Sequence, residues 1–187
     1  MSGVVEEGER KPDPLDFYGR LGALVLVAVW GFRLASMDYR GGELAGSFMH
    51  NIVLPIHEAG HVFFRPLGEF MMMLGGSFFQ VALPLAIGVA FLVRQRDAFG
   101  AAICLWWAGA SLVDLSPYIW DALDPQLVLL GGRTGAEGPH DWIYILGKLH
   151  AISHAHGIGA AAHHLGVIAM LAGIVWGAWA LRKMRAA

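Results

Sequence analysis

Residues 70–93 read FMMMLGGSFFQVALPLAIGVAFLV, 24 positions in a row without Asp, Glu, Lys or Arg. About 20 predominantly apolar residues carry a helix across a bilayer. An uncharged run of this length is therefore the signature of a membrane span rather than of a soluble core. It shows no alternation of apolar and polar positions, which argues against a barrel strand.

The same composition extends in both directions. Leu44 to Phe64 is 21 residues with one charge, Glu58. Residues 98–113 carry none, and the apolar character continues past Asp114 to Trp120. Residues 149–181 have only five histidines as ionisable groups. The sequence predicts spans over about 44–64, 77–93, 99–120 and 163–181, with a further one at about 20–37. The stretch 142–157 reads as a sixth span or an interfacial helix. The expected fold is all-α, a polytopic membrane bundle of about 5–6 helices.

Whole-chain numbers agree. Of 187 residues, 56% are apolar and 15% charged, against roughly 25% charged in a soluble domain. Thirteen Lys and Arg against 15 Asp and Glu leave no basic excess for nucleic acid. One cysteine, Cys104, rules out an internal disulfide and a zinc ribbon. The organisation read from these patterns is a polar segment 1–20, a first span and loop 21–43, a core 44–122, a Gly/Pro-rich loop 123–141 and a His-rich end 142–187. The implied setting is a lipid bilayer, with the bacterial inner membrane as the expected location and the oligomeric state open.

Within the core, residues 57–61 read His-Glu-Ala-Gly-His. Two histidines at i and i+4 lie about 40° apart around a helix, so both can reach one ion. Glu58 flanks the same face. This is the pattern of a zinc peptidase, in which two imidazoles hold the metal and the glutamate acts as general base and acid. A carboxylate inside a span costs roughly 2.5–3.5 kcal/mol on insertion scales, so Glu58 is expected to have a task or a partner. His50 lies two turns before His57 on the same face. Pro55 can kink the helix near the site.

A catalytic zinc needs a third protein ligand. Candidates are Asp114, Asp121 and Asp141. The segment Ser111-Leu-Val-Asp114-Leu-Ser-Pro117-Tyr-Ile-Trp-Asp121-Ala, following a membrane-embedded His-Glu-x-x-His, resembles the site-2 protease family of intramembrane zinc metallopeptidases. The family's second motif runs Asn-x-x-Pro and then Asp-Gly. Here Asp114-x-x-Pro117 precedes Asp121-Ala122, with Asp in place of Asn, Ala in place of Gly and a spacing one residue shorter. The resemblance covers about 44–122. It implies zinc as cofactor, Asp121 as third ligand, and a membrane protein or peptide as substrate, cut in or near the bilayer. It also implies that Gly75, Gly76 and Gln80 hold the substrate backbone. Against this stand a metal-binding or transport protein that does no hydrolysis, and an inactive protease-like adaptor.

His150, His154, His156, His163 and His164 form a second cluster. They read as groups near the zinc, as a separate metal or haem site, or as polar packing residues.

Overall fold

The computed structural model describes residues 14–186; residues 1–13 of the polar segment 1–20 lie outside the described residues. Six helices of a full turn pattern follow in order: α1 Pro14–Ser36, α2 Phe48–Phe64, α3 Glu69–Ala90, α4 Ala98–Asp121, α5 Asp141–Lys148 and α6 Ala155–Ala186. No strand occurs among the described residues.

Among the described residues, four segments are long and apolar enough to cross a membrane: Pro14–Ser36, Glu69–Gln95, Ala98–Asp121 and Ile152–Ala186. Four is fewer than the 5–6 spans expected, α3 and α6 start before the expected 77 and 163, and two departures are larger. Helix α2, which carries His57 and His61, has 17 residues, at the lower limit for a span. The stretch 142–157 is not one helix. α5 ends after 8 residues, roughly 12 Å, because His150 turns left-handed at φ +54. The Ala151 N–H then bonds the Leu146 carbonyl at 2.8 Å and the His150 N–H that of Gly147 at 3.1 Å, closing the helix end as a Schellman motif.

α4 is the axis of the bundle, with most of its residues between Phe99 and Asp121 buried. α6 runs antiparallel along it through glycines spaced by seven. A Cβ on Gly159, Gly166 or Gly173 would lie 2.9, 2.6 or 2.8 Å from the carbonyl oxygens of Ser116, Gly109 and Ala102. Small residues let the two backbones approach, which is how helices associate where lipid removes the hydrophobic drive. α1 closes the far side with Leu24, Val27 and Leu34 packed against Trp106 and Met170. The outward faces of α1 and α6 keep Val29, Phe32, Ile168 and Val175 exposed, as lipid contact requires.

Local chemistry sets the helix limits. The Ser47 hydroxyl accepts from His50 N–H and starts α2. Gly68, at φ +94, makes the turn into α3. The Asp97 carboxylate accepts from the amides of Phe99 and Gly100 and starts α4. α4 passes through Pro117 unbroken. Proline deprives the carbonyl four residues earlier of its partner. That carbonyl, on Val113, accepts from the Ser116 hydroxyl at 2.6 Å instead.

Candidate metal centre

α2 and α3 form an antiparallel hairpin whose tightest contact is between Gly60 and Gly75. That closeness brings the two histidines of α2 against acceptors on α3. His57 Nδ1 lies 2.7 Å from Gln80 Oε1. The Gln80 amide is oriented by its Nε2 donating to the Ser111 carbonyl at 3.0 Å, so its oxygen faces the ring. His61 Nδ1 lies 2.8 Å from the Met72 carbonyl. Both Nδ1 atoms must therefore be donors, and both Nε2 atoms are left facing the site.

The third donor comes from α5. Asp141 Oδ2 lies 3.0 Å from His57 Nε2 and 3.2 Å from His61 Nε2. His57, His61 and Asp141 place one ligand atom each within 4.8 Å of one another, the only group of at least three such donors among the described residues. Zinc bonds of about 2.0–2.1 Å at tetrahedral angles put neighbouring donors about 3.3 Å apart, close to the two distances to Asp141. Space is left for an ion by Gly76, where a Cβ would lie 2.5 Å from His57 Nε2 and 2.7 Å from His61 Nε2. The donor set and the gap fit a divalent cation such as zinc.

Burial pushes the Asp141 carboxyl up, and the hydrogen bonds from His57 and His61 outweigh this and hold it at about 2. The carboxylate is therefore in its charged, metal-binding form at neutral pH.

α5 is docked by hydrogen bonds to two other helices. The Asp141 N–H donates to the Tyr118 hydroxyl at 2.9 Å, and Trp142 Nε1 donates to Ser77 Oγ at 3.1 Å. His140 caps the helix, its Nδ1 accepting from the Ile143 N–H at 3.3 Å.

Asp121, expected as third ligand, is not at the site. Its Oδ1 accepts from the amides of Gln126 and Leu127 at 2.7 and 2.9 Å, and its Oδ2 faces His140 Nε2 at 3.4 Å. The reason is direction: Asp121 ends α4 and is turned into the loop beyond it. Asp114 is also elsewhere, with both oxygens 3.2 Å from His50 Nδ1. Gly75, Gly76 and Gln80, expected to hold substrate, are buried. Gly75 packs on Gly60 and Phe64, Gly76 leaves room at the rings, and Gln80 orients His57. Met72 lends its backbone carbonyl to His61.

A cavity of about 380 Å³ adjoins the site. Glu58, exposed on α2, borders it together with the three donors and the His50–Asp114 pair. Its far wall is the loop segment Leu127–Leu130. The second histidine cluster does not gather. His150 ends α5, His156 stacks on Trp120 at 4.0 Å, and His163 stacks on Tyr39 at 4.4 Å.

The role of Asp141 was one of three sequence alternatives. Those of Gln80 and Met72 toward the histidines carry no local signal, although any ligating imidazole requires an acceptor for its second nitrogen. Comparison with protein-family models, with curated proteins and with solved structures finds no match to this chain.

Proposed function

We propose that the protein is a membrane-embedded, zinc-dependent peptidase. The observation that supports this most is the convergence of His57 Nε2, His61 Nε2 and Asp141 Oδ2, with both Nδ1 protons already committed to Gln80 and Met72. Three protein donors beside an open cavity suit a catalytic rather than a structural zinc site, where four protein ligands close the sphere. Zinc held there supplies Lewis acidity toward a carbonyl and acidifies water.

The chain's own groups divide the remaining work. Glu58 borders the cavity next to the donors and takes a proton from water, then passes it to the leaving amine. Gln80 and the Met72 carbonyl keep the imidazoles in one tautomer and one orientation. The apolar wall of the cavity limits bulk water. Resemblance of the His57–His61 motif to the site-2 protease family supports a peptide bond in or near the bilayer as the substrate.

The test is made on the full chain in detergent, with zinc content and cleavage of a fluorogenic transmembrane peptide measured together. Wild type binds one zinc and cleaves. Glu58→Gln keeps the zinc and loses cleavage. Zinc content that survives replacement of both His57 and His61 refutes the site. Zinc binding with no cleavage of any membrane peptide leaves a metal-binding or transport role and refutes the peptidase.

A further inference from the structure

We infer that Asp121 is a positioning residue for metal capture: acting through His140, it holds the loop that delivers Asp141 to the two histidines. This rests on the metal reading above. The loop that joins α4 to α5 begins and ends at this one carboxylate. At its start, Oδ1 accepts from the amides of Gln126 and Leu127 at 2.7 and 2.9 Å. At its end, Oδ2 faces His140 Nε2 at 3.4 Å. Asp121 Oδ2 and His140 Nε2 are both buried, and neither has an aligned hydrogen-bond partner, so the two depend on each other.

The proton on His140 is fixed by geometry. Its Nδ1 accepts from the Ile143 amide, so the proton sits on Nε2, the nitrogen 3.4 Å from Asp121 Oδ2. The ring is clamped on its face as well, stacked 4.2 Å from Tyr118, whose hydroxyl takes the Asp141 N–H. Gly135 lets the loop lie against the same ring, since a Cβ there would sit 2.5 Å from His140 Cδ2. His140 is thus held from three sides, and its neighbour in the chain is the third metal donor. The loop that supplies this donor also carries Leu127–Leu130, the wall of the cavity. The buried pair thus ties both ends of the loop that carries Asp141 and lines the cavity, beside the bonds of α5 to Tyr118 and Ser77.

Partners behind a metal's ligands change affinity by about 10–100-fold when removed, and that is the effect read here. Zinc affinity of the full chain in detergent is measured by chelator competition, and bound Co2+ is followed by its visible absorption. Asp121→Asn retains an oxygen for Gln126 and Leu127 but sets an NH2 group against His140 Nε2–H. His140→Asn keeps a cap for α5 but does not reach Asp121. Each is expected to weaken zinc binding about 10–100-fold, with Co2+ band positions unchanged because the donors are unchanged. The double variant should be little weaker than the worse single one, as for two groups in one chain of contacts. Asp141→Asn should lose the site. Should Asp121→Asn fail to fold, His140→Asn decides alone.

Wild-type affinity in Asp121→Asn and His140→Asn, with binding lost in Asp141→Asn, overturns the inference and leaves the metal site standing. Weakened binding with altered Co2+ bands in Asp121→Asn, and wild-type binding in Asp141→Asn, makes Asp121 a ligand and also overturns it. No zinc on the wild-type chain removes the metal reading itself.

Discussion

Gly76 is the position where a single methyl group should separate the metal site from the fold. Its Cβ would lie 2.5 Å from His57 Nε2 and 2.7 Å from His61 Nε2. Non-bonded carbon contacts settle at about 3.5 Å or more, so in Gly76→Ala each ring has to retreat by about 1 Å. Metal–ligand bonds tolerate about 0.2 Å. The rings are also tied through Nδ1 to Gln80 and Met72, which leaves no rotation that saves both. At least one imidazole should be lost as a ligand, and zinc affinity should fall at least ~100-fold, about 2.7 kcal/mol. Chelator competition in detergent measures this. The overpacking cost to the fold, about 1–3 kcal/mol, is read apart from it in the metal-free melt. Gly75→Ala is the control. Its Cβ would meet Phe64 Cβ at 2.7 Å and Gly60 O at 2.8 Å, disturbing the hairpin without touching the ring nitrogens. Zinc binding by Gly76→Ala within threefold of wild type would refute the placement of the ion between the rings.

Three further outcomes follow from the same geometry. Gln80→Leu removes the acceptor of His57 Nδ1 and should weaken zinc about 10–100-fold, read by the same competition; unchanged affinity would show that Gln80 does not set the tautomer. Gly166→Val drives a side chain into a seam where even a Cβ lies 2.6 Å from the Gly109 carbonyl, and should destabilise by more than the usual overpacking cost of about 1–3 kcal/mol, against little change for Gly22→Val, which meets nothing within 4 Å; equal melting of the two would sink the packing argument. Asp97→Ala removes the cap of α4 and should cost about 1 kcal/mol at pH 7. Burial pushes the Asp97 carboxyl up, but the Gly100 and Phe99 amides and Arg20 bring it below its ordinary value. Its contribution is therefore complete above about pH 4 and fades as pH falls through the lower, folded value, so the melting gap between variant and wild type should narrow in acid and not in base.

The His57–His61 pair and Glu58 were legible because they depend only on the 3.6-residue turn of one helix. Likewise the existence of the long helices was legible from the lengths of uncharged runs, although the span expected at 77–93 begins at Glu69. Span limits were less so. Whether 142–157 continues as a helix turned on one left-handed residue, His150, a conformation that sequence favours mainly for glycine. The 17-residue length of α2 was hidden inside a 21-residue apolar run, since composition does not mark where Ser47 caps.

What only the tertiary structure decided is which carboxylate lies with the two histidines. Asp141 stands 84 residues from His57, beyond a Gly- and Pro-rich loop whose path no local periodicity constrains. Asp121, nearer in sequence, ends α4 facing that loop and accepts from the Gln126 and Leu127 amides. Helix geometry links residues a turn or two apart, and bilayer thickness links residues along one span. The meeting of α2, α3 and α5 depends instead on close approach at Gly60, Gly75 and Gly76 and on hydrogen bonds accepted by Gln80, Tyr118 and Ser77, which become partners only once the helices have packed.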